Sequence, residues 1–174
     1  MIARYKSYKQ KRCNTTLDHC INVAQHLRNK AKYCFLISNG NDGWCSTRLV
    51  QPIFKKNHSS FTIGIGTHPE SKKVQELWLN NKVTLAFENT REDASLVIYG
   101  KAFIETEIDV KRQYWQKIWK MFFPGGFKSK DYVVLRVEPQ RMEVLSFKQN
   151  ITPEPFGLKS VALELNQEKQ WDLA

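Results

Sequence analysis

The chain has 174 residues, 41% of them apolar and 12% aromatic, enough for one domain with a core of its own. Its formal net charge is +10, and no apolar run is long enough to span a bilayer. No short apolar segment of the signal-peptide kind follows the N-terminus, so a cytoplasmic protein is expected.

The charge is unevenly placed. Arg4, Lys6, Lys9, Lys11, Arg12, Arg28, Lys30 and Lys32 face a single acid, Asp18, so residues 1–32 carry +7 of the +10. Residues 1–14 read as a basic arm. Such an arm attracts phosphate groups, although a solvated terminus is the plainer reading. Tyr5 and Tyr8 alternate with lysines, but aromatic and basic residues do not interleave as a stacking platform requires, so nucleic acid is not an expected partner. Cys13, Cys20, Cys34 and Cys45 form no Cys-x-x-Cys pair and are expected as free thiols. His19, His26, His58 and His68 are too scattered for a zinc site, and no metal is expected.

Leu17, Ile21, Ala24, Leu27 and Ala31 recur at helical spacing and predict an amphipathic helix over residues 16–32. A buried strand follows from Tyr33 to Ser38. Asn39-Gly40-Asn41-Asp42-Gly43 is a hairpin turn, because these residues tolerate positive φ. Trp44 to Phe54 reads as a long returning strand, residues 55–60 as a polar turn, and Phe61 to Gly66 as the next strand. Pro69, Glu70 and Ser71 open a short helix whose expected apolar face is Val74, Leu77 and Trp78. Val83 to Phe87 is a strand. Ser95 to Glu105 is another, interrupted at Gly100. Val110, Tyr114, Trp115, Ile118, Trp119 and Phe122 predict one continuous helix, stopped by Pro124-Gly125-Gly126. Tyr132 to Val137 and Arg141 to Phe147 read as a hairpin around Pro139. Short links between most strands favour an antiparallel barrel over a parallel sheet. The expected organisation is the arm (1–14), a barrel domain (15–148) and a tail (149–174) packed on the barrel.

The chemistry concentrates in two stretches. Ser46-Thr47-Arg48-Leu49 lies on one strand, and Gly66-Thr67 leads through Ser71-Lys72-Lys73 into a helix. Hydroxyls, cations and open amides at a helix start make a phosphate site. Each residue also has a plainer reading: Arg48 as a barrel-surface arginine, Ser71 as a helix cap, Gly64-x-Gly66 as strand geometry, Trp115 and Trp119 as core, His68 as a solvated loop residue.

The order of these parts resembles the pyridoxamine 5′-phosphate oxidase-like flavoproteins, with the general stress protein 26 branch as the nearest likeness. The markers are Arg48-Leu49-Val50, then Thr67 with Ser71-Lys72-Lys73, and Leu77 to Val83 in the pattern Leu-x-x-Asn-x-x-Val. Tyr99-Gly100-Lys101-Ala102, Phe123-Pro124-Gly125-Gly126 and Leu135-Arg136-Val137-Glu138-Pro139 complete the set. The resemblance implies a mainly β fold, a six-stranded antiparallel split β-barrel of Greek-key type with flanking helices. It also implies FMN bound by a homodimer. Arg48 and Lys73 would grip its phosphate, with Thr67 and Ser71 donating hydrogen bonds. Main chain around Ser46 and Thr47 would face the ring. Gly66, Leu49 and Lys72 complete the candidate cofactor contacts, and only one of the two adjacent lysines is expected to reach the ligand. The Arg-x-His with which the founding oxidase ends has no match in residues 149–174, so vitamin B6 oxidation is not implied. The expected function is an FMN-dependent oxidoreductase of unspecified substrate, in which the flavin carries the chemistry and no acid–base pair or nucleophile of the protein stands out, or else a flavin-binding module without turnover.

Overall fold

A computed structural model describes residues 13–40, 42–54, 61–155 and 159–174. Most of the basic arm and the turn at 55–60 lie outside the described residues, as does Asn41 of the first hairpin turn.

The elements follow the sequence in order: α1 (Leu17–Lys30), β1 (Cys34–Asn39), β2 (Cys45–Val50), β3 (Ile53–Phe54), β4 (Ile63–Thr67), α2 (Lys72–Leu79), β5 (Lys82–Asn89), β6 (Ala94–Glu105), α3 (Ile108–Tyr114), β7 (Val133–Ser146), β8 (Val161–Leu165) and β9 (Trp171–Leu173). Six strands run side by side in the order β2-β1-β5-β6-β7-β4. The two-residue β3 extends the β4 edge, and β8 and β9 continue from β7. The pairs β1–β2, β3–β4, β4–β7, β7–β8 and β8–β9 are all antiparallel.

The chain packs as two compact units. One takes in the chain up to Ala31, Ala86–Tyr99 and Gln140–Ala174; the other takes in Lys32–Leu85 and Gly100–Pro139. In the first, α1 buries Cys20, Val23, Ala24, Leu27 and Arg28, a face that keeps Ala24 and Leu27 of the expected one while Leu17 and Ile21 are only partly buried. The turn between β5 and β6 carries buried Glu92, whose carboxylate meets His26 Nε2 at 3.1 Å and Lys30 Nζ at 3.3 Å. The hydrogen bond from His26, with the Lys30 ammonium adding to it, holds that carboxyl below its usual range against burial.

In the second unit an aromatic cluster of Tyr114, Trp119 and Tyr132 is sealed by Trp115 and Phe123. Trp115 meets Tyr132 edge-on with centroids 5.0 Å apart, and Trp119 Nε1 donates to Gln51 Oε1 at 3.2 Å. Both tryptophans are therefore core. This cluster breaks the predicted helix over 110–122. The α-helix ends at Tyr114, Trp115 and Gln116 are extended, and a 3-10 turn resumes over Lys117–Met121. Ile118 and Phe122 lie in solvent rather than on the core face.

Three other expectations are corrected. Trp44 to Phe54 is two strands, β2 and β3. Gly100 does not interrupt β6; it gives room for β7, since a Cβ there would strike the Glu138 carbonyl. Pro139 does not turn a hairpin but lies inside the single strand β7. β4 pairs with Val133–Val137 and β8 with Arg141–Val144, so Pro139, which has no N–H to donate, falls between the two partners on that edge.

Among the described cysteines, Cys20 and Cys34 are buried, Cys13 is partly buried and Cys45 is exposed, all as free thiols. No described helix is long and apolar enough to cross a membrane.

Candidate functional site

Alternation along β2 divides the predicted residues. Ser46 and Arg48 lie on one side and are half-buried, whereas Cys45, Thr47 and Leu49 lie on the other and are exposed. Antiparallel pairing sets Ser46 opposite Ser38 of β1. The two serines and the arginine meet a residue that sequence reasoning passed over. Glu76 of α2 is buried, with 3% of its surface exposed. Ser38 Oγ donates to its Oε2 and Ser46 Oγ to its Oε1, each at 2.6 Å. Arg48 Nη2 donates to Oε2 at 2.8 Å, and Arg48 Nη1 donates to Ser38 Oγ. Lys72 Nζ stands 3.7 Å from Oε1, one helical turn back and largely in solvent.

Burial alone would raise this carboxyl's pKa. The hydrogen bonds from Ser38, Ser46 and Arg48, together with the arginine's charge, outweigh it and bring the value down to about 2. Glu76 is therefore ionised in the folded protein. A cavity of about 170 Å³ lined by Asp42, Lys72, Gln75 and Glu76 opens beside it.

Glu76 explains a displaced helix face. Val74 and Leu77 are buried as expected, but Trp78 is 75% exposed and Glu76 takes its place inside. The buried arc around Val74 and Leu77 extends through Lys73 and Glu76 instead. Lys73 is accordingly half-buried. Desolvation, then the charge of Arg48, lower its pKa, and Glu76 partly offsets them. It has no ion-pair or hydrogen-bond partner among the described residues.

Ser71 stands at the N-cap of α2 but makes no capping bond. Its hydroxyl meets Thr67 Oγ1 at 3.2 Å, and Thr67 is buried. The first amides of the helix are thus left without a side-chain cap, next to two hydroxyls and a lysine. Gly66 belongs to different surroundings: a Cβ there would strike the Trp119 ring and stand 2.8 Å from Tyr132 Cε2. Gly64 is likewise fitted against the ring of Tyr114, so both glycines serve close packing in β4. The structure thus joins Ser46, Arg48 and Lys72 through Glu76, and Thr67 with Ser71. Thr47 and Leu49 lie on the opposite face of β2.

The other candidate charges are engaged elsewhere. Arg136 is held by Glu105 at 2.6 Å and by Glu138, and its guanidinium covers the ring of Phe103. His68 is exposed, 3.9 Å from the carboxylate of Asp131.

A surplus of cations beside uncapped helix amides and paired hydroxyls suits a dianionic phosphate. Arg48, Lys72 and Lys73 outnumber the carboxylates of Glu76 and exposed Asp42, a difference of one positive charge.

Comparison with known proteins gives this arrangement its setting. No curated protein matches the chain. Among solved structures, a protein of Clostridium acetobutylicum related to general stress protein 26 superposes with a TM-score of 0.68 at 18% identity, covering 83% of this chain and 94% of that one. A pyridoxamine 5′-phosphate oxidase-related, FMN-binding protein of Nostoc punctiforme gives 0.67 at 12% identity, over 92% of this chain and 97% of that one. An F420 reductase gives 0.51 at 12% identity, over 68% and 94%. These likenesses establish the antiparallel split-barrel fold with flanking helices. The sequence pattern described as pyridoxamine 5′-phosphate oxidase-like matches residues 20–167. With most of its length inside that pattern, the chain belongs to the pyridoxamine 5′-phosphate oxidase-like family.

Proposed function

We propose that this protein binds FMN by its phosphate at the start of α2 and works as an FMN-dependent oxidoreductase in a homodimer. The observation that carries the reading is Lys73, a half-buried ammonium without an ion-pair partner among the described residues, set next to Arg48 and one turn from buried Glu76. A cation held in that position gains most from an anionic ligand. One hydroxyl of the Thr67–Ser71 pair donates to the other, which leaves the accepting hydroxyl's own proton to donate to a ligand. Family membership and an FMN-binding structural neighbour support a flavin as what the phosphate carries.

Bound FMN would supply hydride and electron transfer. The work left to the chain's own residues would be to grip the phosphate, orient the ring and exclude water. Arg48 and Lys73 bring charge, while Thr67 and Ser71 bring short donors. The exposed side of β2, with Thr47 and Leu49, is an apolar surface of the kind a flat ring or a second subunit covers.

Titration with FMN and with riboflavin tests the binding reading. FMN is expected to bind at least tenfold more tightly, because only it carries the phosphate; equal affinity defeats the phosphate site. Reduction of the FMN-loaded protein by NADH or NADPH, followed by reoxidation in air, tests the oxidoreductase reading. Flavin that no nicotinamide reduces would favour a binding module without turnover.

A further inference from the structure

A buried carboxylate in the middle of a cationic site is the feature the phosphate reading leaves unused. Glu76 sits where a helix packing on a sheet would bury an apolar side chain, while Trp78 on the same helix lies in solvent. Its four polar contacts are well defined: Ser38, Ser46 and Arg48 by hydrogen bonds and Lys72 by charge.

The geometry at the arginine shows what this arrangement achieves. A guanidinium has five N–H groups in a rigid plane. Arg48 spends one on Glu76 and one on Ser38. Three remain without a partner among the described residues: Nε–H and one on each terminal nitrogen. Ser38 accepts from Arg48 and donates to Glu76, so carboxylate, hydroxyl and guanidinium close a ring of three hydrogen bonds. An arginine fixed in this way has already lost the rotamer freedom that a ligand would otherwise have to take from it. A carboxylate can also act in the opposite sense, by competing with phosphate for the guanidinium. The two readings predict opposite signs when its charge is removed.

We infer that Glu76 is a positioning residue for the anion site: it clamps one part of the Arg48 guanidinium, with Ser38 and Ser46 as its braces, so that the remaining N–H groups are presented ready-made to the phosphate of the ligand. The inference rests on the phosphate reading above and adds to it the residue that makes Arg48 effective.

The test is the ratio of riboflavin to FMN dissociation constants, measured by flavin fluorescence, in the wild type and in Glu76→Gln. Glutamine keeps the shape and can still bond both serines, but it loses the charge that clamps the guanidinium. The ratio is expected to fall about tenfold, with riboflavin affinity changed less than about twofold. In an Arg48→Met background Glu76→Gln is expected to leave the ratio unchanged, because the clamp then has nothing to hold; a merely structural role would lower flavin binding in both backgrounds. Ser46→Ala, which removes one brace and leaves the Arg48 contact, is expected to lower the ratio by about two- to threefold and serves as the test if Glu76→Gln does not fold. A ratio that rises or stays the same in the Glu76 variant, or in Ser46→Ala when that variant stands alone, overturns the positioning role. A wild-type protein that binds riboflavin as tightly as FMN would remove the phosphate site itself, and this inference with it.

Discussion

At the scale of single residues, three cations share one neighbourhood in different circumstances. Arg48 is tied to Glu76, Lys73 is half-buried without an ion-pair partner among the described residues, and Lys72 is exposed with only a 3.7 Å approach to Glu76. Lys73→Ala is expected to weaken FMN binding by about 1.5–3 kcal/mol, the scale of a hydrogen bond to a charged group, and Lys72→Ala by less than about 1 kcal/mol. Arg48→Ala also strands a buried carboxylate, so its effect is to be read from the preference for FMN over riboflavin rather than from stability. Glu76 sets a second expectation. Its folded pKa of about 2 lies below the ordinary 4.5, so the stability it contributes is fully present above pH 4.5 and is lost as the pH falls towards 2. Denaturant midpoints measured down this range should fall less steeply for Glu76→Gln than for the wild type. The cations, Thr67 and Ser71 were legible because their types and spacing are unusual for a plain surface. Glu76 was not, because the side on which a short helix buries its apolar pair depends on what it packs against. Around Val74 and Leu77 the arc can widen towards Trp78 or towards Lys73 and Glu76, and the partners that β1 and β2 offer Glu76, Ser38, Ser46 and Arg48, favour the second.

At the scale of elements, local pattern gave the strands and the starts of helices, while contacts distant in sequence set where they stop. Periodicity carried the helix of residue 110 onwards past Trp115, yet packing of Trp115 on Tyr132 and Trp119 requires extended backbone there. Pro139 is a turn signal by composition but falls where β7 changes partners. The β8–β9 hairpin left little trace in a tail whose alternation is short, and it exists because β7 offers Arg141–Val144 as a pairing edge. Close approach of backbone to ring or carbonyl makes the glycines of β4 and β6 sensitive. Gly64→Ala drives a methyl into the Tyr114 ring and Gly100→Ala drives one into the Glu138 carbonyl. Each is expected to cost about 1–3 kcal/mol, the usual penalty of overpacking, read as a lower denaturant midpoint at unchanged slope. An unfolding free energy within about 0.3 kcal/mol of wild type for Gly64→Ala would contradict the described fit.

At the scale of the whole molecule, the exposed face of the β1–β2 pair awaits explanation. Phe35 and Leu49 lie directly opposite each other in the register, 45% and 58% exposed, with exposed Tyr33 just before β1. Cross-strand apolar pairs left in water mark an interaction surface. A symmetric dimer that covers it is expected in sedimentation, and Leu49→Lys is expected to shift the protein towards monomer. A wild-type monomer that holds FMN tightly would exclude the dimer. Bound ligand should also protect the fold: FMN at a hundred times its dissociation constant adds about 2.7 kcal/mol, seen as a higher melting temperature, and riboflavin at the same concentration adds less.

The buried thiols have a further use. Cys20 lies in the unit that contains α1, and Cys34 lies in the other. Burial pushes their pKa values up to about 11 and about 12 from the ordinary 9.0, the Cys20 value with help from Cys13. At neutral pH neither thiol is an effective nucleophile where it stands, so alkylation must wait until the surrounding structure opens. In flavin-free Leu49→Lys protein, where that face of β2 stays open, exposed Cys45 supplies the unprotected rate in the same sample. Mass spectrometry of a timed alkylation should find Cys45 modified first, with Cys20 and Cys34 each slower by the factor of its own opening equilibrium. The ratio of each slow rate to the fast one converts to an opening free energy at one known atom. The native cysteines thus give two clocks, one in each unit, and show without any introduced label whether the units open together or one before the other.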